Sequence, residues 1–385
     1  MSELDALRAE IDDIDAQLTA LFLRRMDVTE RVGAYKQAHG LPVLDPDRER
    51  EVLAKKAALT GDQARKADVT ALYESIMAIS RRQQRHLVRE GEPGGDYARI
   101  RDALAHVRAP LAAPRVLYQG EPGAYSDEAA ARFFGEEAPR AHVATWEAVF
   151  TALDEGRADY GVVPIENSST GSINQVYDLL SKYGHFIVGE QTVKVEHCLA
   201  APRGGSLEGI REVCSHEQGL LQCAGYLKAH PDWVQRPRLN TAESALFVSR
   251  QGDPARAAIC SRRAARLYGL EVLAGPINSN RENYTRFVVV SPQPELREGR
   301  DKLSALCVLP HHSGSLHALM TIFAVNGLNL LKLESRPIPG RSWEYQFFLD
   351  FTGDVAAPGM DGALRELCQT AEGFRLLGNY RSSGG

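Results

Sequence analysis

Leu4, Leu7, Ile11, Ile14, Leu18 and Leu21 follow one another at alternating spacings of three and four, and the series resumes at Val28, Val32 and Tyr35. That period is the seam of an α-helix of about 30 residues. A stripe so long cannot be covered within a small unit unless another helix runs alongside, so a helical dimer is expected. Asp45-Pro46 supplies an N-cap and an N1 proline for a short second helix, and Val69, Leu72, Ile76, Ile79 and Leu87 mark a third. The order is long, short, long.

Further along, the pattern shortens. Strand-like runs at 116–118, 160–165, 186–189, 212–214, 257–260 and 287–290 alternate with helical segments, which predicts α/β sheets. From Leu303 the order is strand (303–309), helix (315–326), strand (328–337), strand (345–351), helix (360–371) and strand (374–380), a βαββαβ ferredoxin-like sandwich. Gly, Pro and Glu crowd residues 91–114, around a short helix near 100–107. A second break falls at Ser291-Pro-Gln-Pro294 and the charged stretch 295–302. The expected division is 1–90 helical, 91–113 linker, 114–293 α/β and 302–381 α+β.

Length agrees with this division, since 385 residues amount to two or three domains at ~150 each. The formal charge of -5, from 45 basic and 50 acidic residues, argues against a polyanion-binding face, so no nucleic-acid partner is expected. No run approaches the ~20 apolar residues of a membrane span, and acidic residues interrupt the N-terminal apolar series where a signal peptide would be continuous. No membrane partner and a cytoplasmic location are expected. Six cysteines (198, 214, 223, 260, 307 and 368) form no CxxC pair and no Cys/His cluster, so they are expected to be buried thiols, with no metal and no cofactor.

Arg25 occupies the seam between Leu21 and Val28, and a buried arginine needs an anion. That anion is either a ligand or a neighbouring carboxylate, or else Arg25 is a polar seam residue that fixes register. Arg8 and Lys36 flank the same stripe, Asp45, Arg48 and Glu49 open the second helix, and Ser80 and Gln84 lie four apart on the third. Arg8 and Arg25 are 17 positions apart, roughly 25 Å along one helix, so a site using both must draw them from different protomers.

With these residues the first unit resembles the helical chorismate mutases fused to prephenate dehydratase in bacterial phenylalanine biosynthesis. The resemblance implies an intertwined all-α dimer. It also implies that Arg8 of the partner, Arg25 and Arg48 bind two carboxylates, Lys36 and Gln84 donate to an ether oxygen, Glu49 engages a ring hydroxyl, and Asp45 and Ser80 support them. The pericyclic conversion of chorismate to prephenate needs no nucleophile, only positioned cations.

In the second unit, Pro164-Ile-Glu-Asn-Ser-Ser-Thr-Gly171 carries a strand into a hydroxyl-rich loop and a helix near Ile173, an arrangement that presents donors to an anion or merely caps the helix. Gly120-Glu-Pro-Gly-Ala-Tyr-Ser126 joins another strand to a helix that Ser126 is expected to cap, without a phosphate-loop Lys or a GxGxxG pattern. Together with Ser215-His-Glu-Gln218, Gln222 and Asn283-Tyr-Thr-Arg-Phe287, these strings resemble prephenate dehydratase. The resemblance implies two α/β lobes like periplasmic binding proteins, with the chain crossing near Gln191 and the second lobe built through about Tyr268. It implies that Thr285 lies beside the departing hydroxyl and that Asn167, Ser215 and Gln222 contact substrate. Glu166, Ser168, Ser169, Thr170 and Arg286 surround them. Glu166 is alternatively a structural acceptor, and Arg286 either a carboxylate clamp or an ion-pair partner. His197 and His216 read as structural. Glu217 stands where the family commonly has proline.

The third unit resembles the regulatory ACT domain of such dehydratases. The resemblance implies a phenylalanine effector held by Gly314, Ser315, Leu316, Asn329, Glu334, Ser335, Arg336 and Pro337 between paired domains, in a homodimer or higher homo-oligomer. Two rivals stand beside this: a solute-binding protein that does no chemistry, and an arogenate dehydratase whose helical unit only dimerises.

Overall fold

The computed structural model describes residues 2–87, 95–311, 314–338 and 340–384. Helix α1 (Glu3–His39) starts at a capping box in which the Ser2 hydroxyl accepts from the Asp5 N–H and the Asp5 carboxylate from the Ser2 N–H. It ends at Gly40, whose φ of 62° is left-handed and suits glycine. At 37 residues it outruns the expected length. In α2 (Pro46–Ala57) the Asp45 carboxylate caps the Arg48 N–H at 3.0 Å, and α3 (Gln63–Leu87) completes the long, short, long order. The apolar stripe of α1 is uncovered in the single chain: Leu7, Ile14 and Leu21 are each about half exposed or more.

The first break is not a plain linker. Residues 91–94 of the expected linker lie outside the described residues, but α4 (Gly95–Ala105) buries Tyr97 and Ile100. The second break is also packed: Glu295 is buried and ion-paired to Arg108 and Arg297 at 2.8 and 2.9 Å. Composition marked these segments as breaks, whereas buried aromatic and ionic contacts order them.

The α/β region runs β1 (Val116–Gln119), α5 (Tyr125–Phe134), β2 (Arg140–Val143), α6 (Trp146–Asp154), β3 (Tyr160–Asn167), β4 (Gly171–Ser172), α7 (Asn174–Tyr183) and β5 (Phe186–Lys194). The second sheet then begins with β6 (His197–Ala201), β7 (Glu212–His216), α8 (Glu217–Gln222), α9 (Ala224–Lys228), β8 (Val234–Arg238), α10 (Thr241–Gln251), β9 (Arg256–Ser261), α11 (Arg262–Leu267) and β10 (Glu271–Ala274). Strand β11 (Tyr284–Ser291) returns to the first. The sheets order as β2-β1-β3-β11-β5, with β4 on β3, and β10-β6-β9-β7-β8. The α/β alternation expected from the pattern is thus present, and the two sheets correspond to the two lobes that the resemblance implies, with the second extending to Ala274, past the expected Tyr268. Strands β3 and β11 are nearly continuous apolar runs and fill the first lobe's core with Val162, Val163, Val288 and Val289.

The C-terminal segment is β12 (Lys302–Val308), α12 (Ser315–Val325), β13 (Leu330–Pro337), β14 (Tyr345–Thr352), α13 (Met360–Thr370) and β15 (Glu372–Tyr380), and its sheet runs β13-β14-β12-β15. That strand order is the ferredoxin-like one.

Contacts divide the chain into two compact units rather than three. One joins Met1–Asp102 with Cys307–Leu330 and Val355–Arg375, and within it α3 packs against α1, α2, α12 and α13. The other joins Ala103–Leu306 with Leu331–Asp354 and Leu376–Gly385, and there Leu306, Phe348, Leu377 and Tyr380 share a core with Val149, Val163 and Leu180. Sequence order separates three segments, but burial of apolar faces regroups the last of them.

Candidate active sites

Within the helical unit, a pocket of ≈ 280 Å³ is lined by Arg25, Lys36, Asp45, Arg48, Glu49, Ser80 and Gln84. The helices deliver them in register: Arg25 and Lys36 project from α1, Arg48 and Glu49 from the first turn of α2, and Ser80 and Gln84 from one face of α3. Arg25 Nη1 donates to Ser80 Oγ at 2.6 Å, and Lys36 Nζ to the Val43 carbonyl at 2.6 Å. Burial lowers the Arg25 pKa from its ordinary value, but a guanidinium keeps its proton in proteins. Gln84 is buried, and its Oε1 has no hydrogen-bond partner among the described residues. Cations and polar groups thus converge on an apolar-walled hollow. It can hold and polarise an anion.

Within the α/β unit, β3 and β11 pair so that Asn167 faces Thr285. Asn167 Oδ1 accepts from the Ser169 and Thr170 N–H groups at 3.0 and 3.1 Å, which fixes the amide orientation. Its Nδ2 then donates to Asn283 Oδ1 at 2.7 Å and to Thr285 Oγ1 at 2.9 Å. Thr285 Oγ1 is therefore an acceptor here, and its own proton is left to serve another group. On β6, His197 Nε2 lies 2.9 Å from Gln222 Oε1, and Nδ1 lies 3.1 Å from the Tyr125 hydroxyl. Burial lowers the His197 pKa, which keeps the ring neutral near neutral pH.

Residues 7–85 match the family described as chorismate mutase type II, and residues 116–295 match prephenate dehydratase. A bifunctional chorismate mutase/prephenate dehydratase from Aquifex aeolicus strain VF5 is 31% identical over 381 residues, covering 99% of this chain and 98% of the relative. The chain belongs to the bifunctional chorismate mutase/prephenate dehydratase family. The relative of the same name from Escherichia coli strain K12 is 33% identical over 98% of this chain and 96% of its own length. Among solved structures, a prephenate dehydratase from Arthrobacter aurescens in complex with L-Phe is 30% identical with a TM-score of 0.64, over 70% of this chain and 90% of that one.

In the mutase pocket the residues singled out by pattern come together, with one exception. Arg8 of the same chain is exposed, 4.0 Å from Asp5, and does not line the pocket. Arg81, next to Ser80, does line it and ion-pairs with Glu49, yet the helical pattern did not single it out. Its position three residues before Gln84 was the available signal.

The dehydratase residues divide. Asn167, Thr285 and Thr170 form one cluster, with Thr170 Oγ1 donating to Asn167 Oδ1 at 3.3 Å. The Ser168 and Ser169 hydroxyls instead tie down residues 280–284: Ser168 Oγ donates to the Glu282 carbonyl, and Ser169 Oγ accepts from Asn280. The hydroxyl-rich stretch makes a hairpin turn between β3 and β4 before α7 starts at Asn174, close to the expected Ile173, and Asn167 Oδ1 takes up the Ser169 and Thr170 N–H groups of the turn. Ser126 likewise does not cap α5; it lies in the first turn and donates to the Gln119 carbonyl at 2.5 Å.

Ser215 is fully buried and donates to the Ile259 carbonyl at 2.8 Å, so its hydroxyl is committed to joining β7 and β9. Gln222 is engaged by His197. His216 caps α8 by accepting from the Gln218 N–H, and Glu217 takes the N1 position, where proline is also at home and where a carboxylate suits the helix dipole.

Arg286 has carboxylate partners within the protein. Successive strand residues face opposite sides, so it turns from Thr285 toward Asp350, Glu190 and Glu166 at 2.6, 3.2 and 3.3 Å. Burial opposes its charge, but Asp350 and Glu190 outweigh that and hold its pKa above the ordinary value. Glu166 joins this network and also receives Lys332 at 2.7 Å.

Of the effector candidates, Gly314 caps α12 at φ 90° and Ser315 Oγ donates to the Pro310 carbonyl at 2.6 Å, with Leu316 exposed. In the other unit, Glu334 accepts from the Ser172 hydroxyl and Arg336 pairs with Asp178 at 2.7 Å, while Ser335 and Pro337 continue β13. Asn329 precedes β13. All six cysteines are free of disulfides, and burial pushes the Cys214 thiol up to about 11 and Cys223, Cys307 and Cys368 to about 12. No helix among the described residues is long and apolar enough to cross a membrane.

Proposed function

We propose that this chain converts chorismate to prephenate in its helical pocket and prephenate to phenylpyruvate, carbon dioxide and water at the Asn167–Thr285 pair. The observation that carries the proposal is the convergence of Arg25, Lys36, Asp45, Arg48, Glu49, Ser80 and Gln84 on one pocket. Chorismate is a compact dianion whose ether bond breaks in a pericyclic shift, so cations that hold the carboxylates and donors that meet the ether oxygen supply the catalysis. Arg25 and Arg48 serve the carboxylates, Lys36 and Gln84 the ether oxygen, and Glu49 the ring hydroxyl. Arg8 of a second protomer completes the site, which the uncovered stripe of α1 supports.

In the second reaction a hydroxyl leaves as carbon dioxide is lost, and aromatisation drives the step. Thr285, oriented by Asn167, donates to the departing oxygen. Residues 1–90, 114–293 and 302–381 are read as mutase, dehydratase and ACT modules. Phenylalanine is read as the effector of the last, with the L-Phe complex of the Arthrobacter aurescens relative in support.

Purified protein given chorismate should yield phenylpyruvate, seen by its absorbance in alkali. A preparation that consumes neither chorismate nor prephenate would end this reading. Calorimetric titration should give heat with phenylalanine, and equal affinity for every hydrophobic amino acid would remove the effector assignment.

A further inference from the structure

Arg81 lines the mutase pocket and touches two carboxylates at once. Its Nη1 lies 2.6 Å from both oxygens of Glu49, and its Nε lies 3.4 Å from Glu366 Oε1 on α13, 285 positions away in sequence. Glu366 is only 1% exposed, so water does little to stabilise its charge. Helix α13 packs on α3 together with α12, whose His317 stands 3.3 Å from Glu74 of α3.

We infer that Arg81 is a positioning residue of the mutase, holding Glu49, and that Glu366 of α13 holds Arg81. The inference rests on the mutase reading of the pocket. A dianionic substrate is repelled by a bare carboxylate in the wall, yet Glu49 must be correctly turned to accept from the substrate hydroxyl. Arg81 resolves the conflict by neutralising Glu49 without taking the place of the cations that face the ligand. A guanidinium on a long side chain has many rotamers, and the second carboxylate, engaged through a different nitrogen, restricts them. A buried carboxylate that loses its cation is strongly disfavoured, so Glu366 keeps Arg81 where Glu49 needs it. The mutase site is thereby completed by a helix that lies outside the mutase stretch of the sequence.

The test is a double-mutant cycle in the full-length protein, with Arg81→Gln, Arg81→Lys, Glu366→Gln and the double Arg81→Gln/Glu366→Gln, assayed on chorismate. Turnover of prephenate serves as the folding control. Arg81→Gln should raise the chorismate KM about tenfold or more with a smaller change in kcat, and Arg81→Lys, which keeps the charge, should recover part of it. Glu366→Gln should lower mutase kcat/KM about three- to tenfold, and should have no further effect once Arg81 is Gln. Should Glu366→Gln also abolish prephenate turnover, Glu366→Asp takes its place in the cycle. A Glu366 variant with unaltered mutase kinetics, or two effects that simply multiply, would overturn the link. A parent that does not turn over chorismate, or a Lys36→Ala variant with the parental rate, would instead overturn the mutase reading of the pocket and the link with it.

Discussion

Asn167 Nδ2 lies 2.9 Å from Thr285 Oγ1, across an antiparallel register that makes the two residues direct partners although 118 positions separate them. The same amide closes the turn at Ser169 and Thr170. Replacing Asn167 by Ala should therefore release both the hydroxyl and the turn. With about 1–3 kcal/mol at stake for a buried hydrogen-bonding group left unmatched, dehydratase kcat should fall roughly 10- to 100-fold. Phenylpyruvate formation from prephenate measures it, with chorismate turnover as the control, and an unchanged rate would detach Asn167 from the chemistry.

The neutral, buried His197 ties stability to pH. Its folded-state pKa is lowered from 6.5 by burial, so the unfolded chain takes up a proton at a higher pH than the folded one. The stabilisation is fully present above the unfolded value and is lost as pH falls through and below it. Thermal unfolding should show the melting temperature dropping between about pH 7 and pH 5, and less steeply in His197→Gln. Parallel curves for the two proteins would count against this.

Arg286 should matter to stability more than to substrate. Arg286→Met leaves Asp350 and Glu190 facing each other with one cation fewer, a change that costs about 3–5 kcal/mol when a buried charge loses its partner. Urea unfolding of the purified variant measures the loss. If stability held and the prephenate KM rose instead, Arg286 would return to the list of substrate contacts.

The stripe on α1 should be an interface. Ile14 is 49% exposed in the single chain, and a lysine there would place a charge on the seam. Ile14→Lys should sediment as a smaller species than the parent and lose mutase activity, because Arg8 of a second protomer would no longer arrive. Sedimentation unchanged from the parent would argue that the stripe is not buried in solution.

Periodicity found α1 and α3 because both carry long repeats, and the Asp45-Pro46 pair marked the start of α2. It found the buried strands β3 and β11 for the same reason. It missed β2, β4, β6, β8 and β10, each of five residues or fewer, and β8 is also largely exposed and contains Pro237, so it has no apolar face to announce it. Most of the mutase site was legible as well, because residue type and helical register already say which side chains share a face.

What the sequence determined by itself was the order of elements, the convergence of cations on one helical seam and the family strings around Asn167 and Thr285. The tertiary structure decided which of those residues meet. Strand alternation turned Arg286 away from Thr285, and a hairpin was inserted between Asn167 and the start of α7. Burial of apolar faces set α12 and α13 against α3, bringing Glu366 to Arg81. Local pattern fixes an element's faces, but the partner across each face is chosen by long-range burial and charge pairing, which no short stretch of sequence records.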